Sequence, residues 1–282
     1  MAAELIRSPS AMFQWSEKMR RQNKTIGFVP TLGNLHQGHS YLMRALRDKC
    51  DLLVVSIFIN PTQFAANEDY ANYPRTEEED KKICAAEKVD VIFIPAAEDI
   101  YVNSPLTRID IPTMTGLHCG MSRPNHFSGV LMIVNLFLNI VMPHWMALGK
   151  KDFQQLRVIE IMVKELHIPI ELVAVDTGRE KDGLALSSRN RYLTQDQRRR
   201  APQLYVILSG LKNAIEKGER NYRLLEEQAS HLLGAAQMKV DYVHISRCDD
   251  LQPAEKVDKE IVILAAVYLG KARLIDNVRV SL

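Results

Sequence analysis

An α/β fold is predicted: a Rossmann-like parallel sheet with helices on both faces, followed by a smaller C-terminal α+β domain. Three observations predict it. Short apolar runs alternate with helical patterns through the first two thirds of the 282 residues. Those runs are continuous rather than alternating in polarity, as strands covered on both faces require. The pattern then changes near Asp176, where two long helical stretches lead into three strands. The expected boundary divides residues 1–175 from 176–282.

Taken in order, the first strand is the apolar run Thr25–Val29, followed by the amphipathic segment Ser40–Asp48. Leu52–Ile59 is the next strand, then a helical pattern over Glu77–Glu87 and a strand over Val89–Ile94. Val130–Val141 reads as a helix, Trp145–Leu148 as a strand, Phe153–Leu166 as a helix and Ile170–Val175 as a strand. In the second part, helical stretches near Gln195–Glu216 and Tyr222–Ala236 precede strands Lys239–Ile245, Glu260–Tyr268 and Ala272–Val278. Ligands in open parallel sheets bind beyond the carboxyl ends of the strands. The segments after Val29, after Ile59 (Asn60–Gln63) and after Val175 (Asp176–Gly178) are therefore expected on one edge.

Composition excludes several classes. The hydrophobic fraction of 46% and charged fraction of 25% are those of an ordinary soluble protein, and the net charge of +2 gives no reason to expect a nucleic-acid partner. The basic run Arg198–Arg200 reads as a solvated helix face. The four cysteines are scattered without a C-x-x-C, so neither a disulfide framework nor a zinc site is suggested. The longest apolar run, Val130–Met142, spans 13 residues and is interrupted by Asn135 and Asn139, too short for a bilayer. With no signal-peptide pattern, a cytoplasmic protein without membrane association is expected.

The most informative stretch is T-L-G-N-L-H-Q-G-H, Thr31–His39, placed where a strand hands over to a helix. A helix N-terminus offers unpaired N–H groups and a partial positive charge to a phosphate. Gly33 and Gly38 let backbone approach the anion, and His36 and His39 supply donors to phosphate oxygens. Far downstream, G-L-A-L-S-S-R-N, Gly183–Asn190, is a small-residue loop with Ser187, Ser188 and Arg189 as phosphate donors. An early histidine pair and a late Ser/Lys/Arg loop resemble the arrangement of the HIGH nucleotidyltransferase superfamily.

With these residues in place, the chain resembles the pantoate–β-alanine ligase family nearly end to end. The resemblance is carried by P-T-L-G-N-L-H-Q-G-H (Pro30–His39), S-I-F-I-N-P-T-Q-F (Ser56–Phe64), N-Y-P-R-T (Asn72–Thr76) and R-P-N-H-F-S-G-V (Arg123–Val130). It continues through K-D-F-Q-Q-L (Lys151–Leu156), D-G-L-A-L-S-S-R-N-R-Y-L (Asp182–Leu193) and A-R-L-I-D-N (Ala272–Asn277). The resemblance implies a ligase that joins pantoate to β-alanine with ATP and Mg²⁺, through an enzyme-bound pantoyl adenylate, releasing AMP and pyrophosphate. It implies a nucleotide-binding domain over 1–175, a C-terminal lid over 176–282 and a homodimer.

By the same resemblance, His39, His36 and Lys151 are catalytic, His39 being the family's acid. ATP contacts are implied for Leu32, Gly33, Asn34, Leu35, His36, Gln37, Gly38 and His39. A second implied group is Gly149, Lys150, Lys151 and Asp152, and a third is Gly178, Leu186, Ser187, Ser188 and Arg189. Gly178 is expected to act through its backbone, so that its identity matters little. Gln63 and Gln155 are implied to hold pantoate and β-alanine, with Asn60 and Tyr73 behind them; protein ligands of the metal are unassigned. Three positions depart from the family pattern: Lys150 replaces the Glu of G-E-K-D, Cys119 replaces a Glu and Leu136 replaces a Lys. The last two are expected to mark a coupled pair. Competing expectations are a related nucleotidyltransferase that leaves the nucleotide on its product, and a non-catalytic ATP-binding descendant.

Overall fold

The fold was described from a computed structural model, which covers residues 3–65, 68, 70–101 and 105–282. Its first part builds a six-stranded parallel sheet from β1 (Glu4–Ile6), β2 (Ile26–Thr31), β3 (Leu52–Ile57), β4 (Val91–Phe93), β5 (Trp145–Gly149) and β6 (Glu171–Val175). The order is β1-β4-β3-β2-β5-β6, so the chain runs outward from β2 in both directions. The strand order therefore reverses between β2 and β5, the crevice at which such sheets bind ligands.

Five longer helices flank this sheet: α1 (Pro9–Arg21), α2 (Gln37–Arg47), α3 (Glu77–Ala86), α7 (His126–Val141) and α8 (Phe153–Glu165). Between α3 and α7 lie the short α4 (Ala97–Ile100), α5 (Pro112–Thr115) and α6 (Cys119–Ser122). Alternate residues of one strand serve opposite faces, as the two-residue period demands. In β2, Phe28 joins Phe58, Phe93 and Phe137 under α7, whereas Val29 packs with Met43, Leu46 and Val55 under α2. Phe137 meets Phe28, Phe58 and Phe93 edge-on with ring centroids 6.1, 5.6 and 5.6 Å apart. This is why α7 is apolar nearly all round without crossing a membrane. Among the described residues no helix is long and apolar enough to do so.

The later part holds α9 (Gln195–Arg200), α10 (Gln203–Glu216) and α11 (Tyr222–Ala235). It also holds an antiparallel sheet, β7 (Lys239–Arg247), β8 (Glu260–Leu269) and β9 (Ala272–Ser281), in that order. Alternation along β8 joins the two parts. Ile261, Ile263 and Val267 face the helical core of the second part, while Val262 and Leu264 pack into the core under α7.

The differences from the sequence expectation have local causes. The single helix expected over Gln195–Glu216 is two, because Pro202 cannot donate to the preceding turn. The pair β1 and α1 was not anticipated, although Ser8 capping Ala11 N–H and Pro9 at the first helical position are a recognisable helix start. The basic run of α9 is paired on the surface, Arg198 with Asp182 and Arg200 with Asp196.

Candidate active site

The loop after β2 is held from beneath. Thr31 Oγ1 donates to Ser56 O at 2.7 Å and accepts from Gly33 N–H at 3.1 Å. Gly33 has φ +81°, and a Cβ there would lie 2.9 Å from Ile57, so glycine is required. Asn34 follows in the left-handed region at φ +50°. The buried Asp80 of α3 accepts the Asn34 and Leu35 N–H groups at 3.0 and 2.7 Å, and the Thr76 hydroxyl at 3.2 Å. This support was missed in the sequence, since nothing near Asp80 points to a loop 45 residues away.

His36 and His39 close the start of α2 as a reciprocal cap. His36 Nδ1 accepts from Gly38 N–H and His39 Nδ1 accepts from His36 N–H, each at 3.1 Å. An Nδ1 that accepts carries no proton, so each neutral ring bears its proton on Nε2. Burial foremost lowers His36 from 6.5 to about 4, with the charges of Lys151 and Arg191 adding to it. Burial likewise lowers His39 from 6.5 to about 3, helped by His36 and Lys151. At neutral pH both rings are uncharged donors.

Across the crevice, β5 runs into the 3₁₀ turn Lys150–Asp152 and then α8. Asn277 of β9 donates to the carbonyls of both Lys150 and Lys151 at 2.9 Å, so the C-terminal part sets the turn that carries the lysine. Lys151 Nζ lies 3.8 Å from Asp152 Oδ2. Lys150 points away and pairs with Asp176 at 2.6 Å, which accounts locally for its reversed charge.

The adjacent glutamines of α8 face opposite ways. Gln154 is buried and donates to Met114 O (2.9 Å) and Leu117 O (2.8 Å), accepting from Cys119 N–H (3.2 Å). Gln155 lines the crevice. Gln63, in the 3₁₀ turn after β3, is oriented by Asn60, whose Nδ2 donates to Gln63 Oε1 and to Gly129 O, both at 3.1 Å. Tyr101 in turn donates to Asn60 Oδ1 at 2.8 Å. Gly129 is the residue that lets α7 approach, because a Cβ there would lie 2.5 Å from Thr62 O.

The segment after β6 forms the opposite wall. Leu186 N–H bonds Gly178 O at 2.9 Å, and Ser187 Oγ accepts from Arg189 N–H at 3.3 Å, starting the 3₁₀ turn Ser188–Tyr192. Ser188 Oγ and Tyr73 OH lie 3.4 Å apart. A Cβ on Gly178 would lie 2.8 Å from Tyr41 and 3.0 Å from Leu186, so a side chain there presses on the loop. The expectation that its identity matters little is corrected on that ground. The D-N pair of A-R-L-I-D-N also acquires a cause: Asp276 takes a bidentate bond from Arg179 at 2.6 and 2.9 Å, beside Asn277.

These walls enclose a chamber of about 240 Å³. Leu32, His36, Gly38 and His39 line it from the first loop, and Gly149, Lys151 and Asp152 from the second. Gly178, Leu186, Ser187, Ser188 and Arg189 line it from the third, and Gln63 and Gln155 stand at its side. Gly33, Asn34, Leu35, Gln37 and Lys150 do not reach the chamber; the first three lie behind it on Asp80 and its neighbours. A second chamber of about 670 Å³ continues from it across Lys151, Gln155, Ser187 and Arg189. There Arg123 pairs with Glu68 and donates to His126 Nε2 at 3.0 Å, while His126 Nδ1 donates to Gln63 O at 2.8 Å. Cys119 Sγ lies 3.9 Å from Arg123 Nη1. Leu136 packs into the core ten residues beyond His126, about 15 Å along α7. Position 119 thus has a cation beside it in Arg123, which Glu68 also pairs, while Leu136 packs against the apolar core.

The lining has few carboxylates, Asp152 and Asp176, and no group of three metal-ligating side chains occurs among the described residues. Such a site fits a Mg²⁺ carried largely by phosphate oxygens and water, with Asp152 the carboxylate nearest the lysine.

A parallel sheet with neutral histidines, a lysine and a Ser-Ser-Arg loop gathered at its switch point defines an ATP-binding ligase. The family model described as pantoate-beta-alanine ligase matches residues 4–279, and the chain belongs to that family. It is 44% identical to the pantothenate synthetase of Thermotoga petrophila, over 97% of this chain and 98% of that protein. It is 47% identical to that of Halorhodospira halophila, over 97% of each. Among solved structures, pantothenate synthetase from Thermus thermophilus superposes with a TM-score of 0.91 at 35% identity, covering 98% of both chains. The pantoate-beta-alanine ligase of Francisella tularensis, complexed with beta-gamma ATP and beta-alanine, gives 0.81 at 34% identity, covering 98% of this chain and 97% of that one.

Proposed function

We propose that the protein condenses pantoate with β-alanine, using ATP and releasing AMP and pyrophosphate. The observation that carries this reading is the single chamber in which two amides, Gln63 and Gln155, stand beside the phosphate donors His36, His39 and Lys151. In the first step a pantoate carboxylate oxygen attacks the α-phosphorus, and the α–β bridging bond breaks with its electron pair going to pyrophosphate. The carboxylate is already ionised, so no base is needed. The site instead meets charge moving onto pyrophosphate. His36 and His39 do this as neutral Nε2–H donors, and Lys151, Ser187, Ser188 and Arg189 complete the donor set. Gln63 and Gln155 bind pantoate. When bound, Mg²⁺ screens the phosphate oxygens during this step.

In the second step the neutral amine of β-alanine attacks the acyl carbonyl, the bond to AMP breaks, and the amine proton is released. Holding both reactants side by side in this cleft supplies much of the rate. Residues 1–175 bind nucleotide, and 176–282 act as the lid. The working unit is a homodimer in the cytoplasm, without nucleic acid, and light scattering of the purified protein tests the dimer. Pyrophosphate release should require ATP, Mg²⁺ and pantoate, and AMP with the amide product should appear only when β-alanine is added. Release indifferent to pantoate, or a stable nucleotidylated product, would overturn the reading.

A further inference from the structure

Arg191 stands two residues beyond the Ser187–Arg189 donors, inside the 3₁₀ turn Ser188–Tyr192. Its Nη1 donates to Asn34 Oδ1 at 2.7 Å, a bond between residues 157 apart in the chain. The direction is fixed, because a guanidinium has only donors. Asn34 itself is 1% exposed and does not line the chamber. Its backbone, at φ +50°, is held by Asp80, which also holds Leu35. Asp80 of α3 therefore anchors Asn34 through its backbone while Arg191 reaches its side chain from the other loop.

We propose that Arg191 is a positioning residue, which docks the Ser187–Arg189 loop onto the β2–α2 loop through Asn34, so that both donor sets meet one triphosphate. The loop needs such a tie. It is built of small residues, and its donors act only when held within hydrogen-bond reach of the phosphate. Asn34 then serves the nucleotide indirectly, which explains why a residue expected to touch ATP lies behind the wall. The guanidinium is close enough to His36 to help hold that ring neutral, so the tie can be read at His36 without any substrate. The inference rests on the function proposed above only for its kinetic test.

The experiment is a double-mutant cycle. Asn34→Gly keeps the left-handed backbone and removes the acceptor; Arg191→Met keeps the stem and removes the donors. Pantoate-dependent ATP–pyrophosphate exchange would be measured for all four proteins, with unfolding midpoints to establish folding. Each single change should lower kcat/KM for ATP by roughly ten- to a hundredfold, the value of one charge-assisted hydrogen bond. The double variant should lose no more than the worse single one. Multiplied losses, or near wild-type exchange in Arg191→Met, would overturn the proposal. A separate readout uses NMR titration of His36 in the substrate-free protein. Its midpoint should rise in Arg191→Met and in Asn34→Gly, and a midpoint that rises in Arg191→Met but stays unchanged in Asn34→Gly would overturn the tie. Absence of exchange in the unmodified protein would instead count against the proposed function, leaving the titration to decide the tie.

Discussion

The same substitution at two neighbouring positions of α8 should have opposite consequences. Gln154 makes three hydrogen bonds in a buried site, to Met114 O, Leu117 O and Cys119 N–H. Gln154→Ala orphans the Cys119 N–H, while Leu117 O keeps the Gly120 N–H at 2.7 Å and Met114 O keeps the Leu117 N–H at 3.2 Å. An orphaned buried group costs about 1–3 kcal/mol. Gln154 and Cys119 border the second chamber, so water can reach part of the gap and the lower end applies. With the two carbonyl bonds lost besides the orphaned N–H, the expected loss is about 2–3 kcal/mol in all, or a fall in Tm of roughly 4–12 °C for a chain of this size. Gln155→Ala removes a side chain that faces the chamber, so stability should stay within about 0.5 kcal/mol. Its loss should appear in kcat/KM for pantoate, because a site built to hydrogen-bond its substrate discriminates through those bonds. Thermal unfolding, calorimetric titration with ATP and steady-state kinetics of the two variants form the assay. Equal destabilisation by both, or a large loss of ATP affinity in Gln155→Ala, would refute this division of roles.

His39→Ala and Lys151→Ala should each lower turnover by roughly a hundred- to a thousandfold, since each removes a donor to charge that peaks in adenylation; near wild-type turnover would remove them from that role. Stability should fall on acidification. His36 and His39 are held neutral in the fold at about 4 and about 3 instead of 6.5, chiefly by burial. The unfolded chain then takes up protons first as pH drops below 6.5. The neutral rings contribute fully above that pH, and each loses about 2 kcal/mol by pH 5. Urea midpoints that match at pH 7.5 and 5 would contradict this. Lys150→Glu sets a carboxylate beside the exposed Asp176, and urea unfolding should show a change within about 1 kcal/mol, as for surface pairs. Cys119→Glu and Leu136→Lys should be additive to about 0.5 kcal/mol in a denaturation cycle, because position 119 faces Arg123; a larger coupling would restore the idea of a pair.

Strand–helix alternation, the carboxyl-edge loops, the histidine pair and the Ser-Ser-Arg loop could all be read from the chain. Each rests on local chemistry: continuous apolar runs make buried strands, and small residues with donors at a strand end make an anion loop. That Gly149–Asp152 would face Thr31–His39 needed the strand order, since only the β2–β5 adjacency makes them neighbours. Only the family resemblance separated Gln155 from Gln154; periodicity could not, because helix phase is decided by which face meets the α5–α6 segment. The sequence could not assign the charge of His36 and His39 either, because that follows from burial and from which backbone N–H each ring accepts. The contacts of Asp80, Asn277 and Arg191 were invisible for the same reason, although the last two stand within motifs that carry the resemblance. Each holds backbone or an amide contributed by a distant segment, and a hydrogen bond between such segments leaves no periodicity or spacing in the chain that makes it.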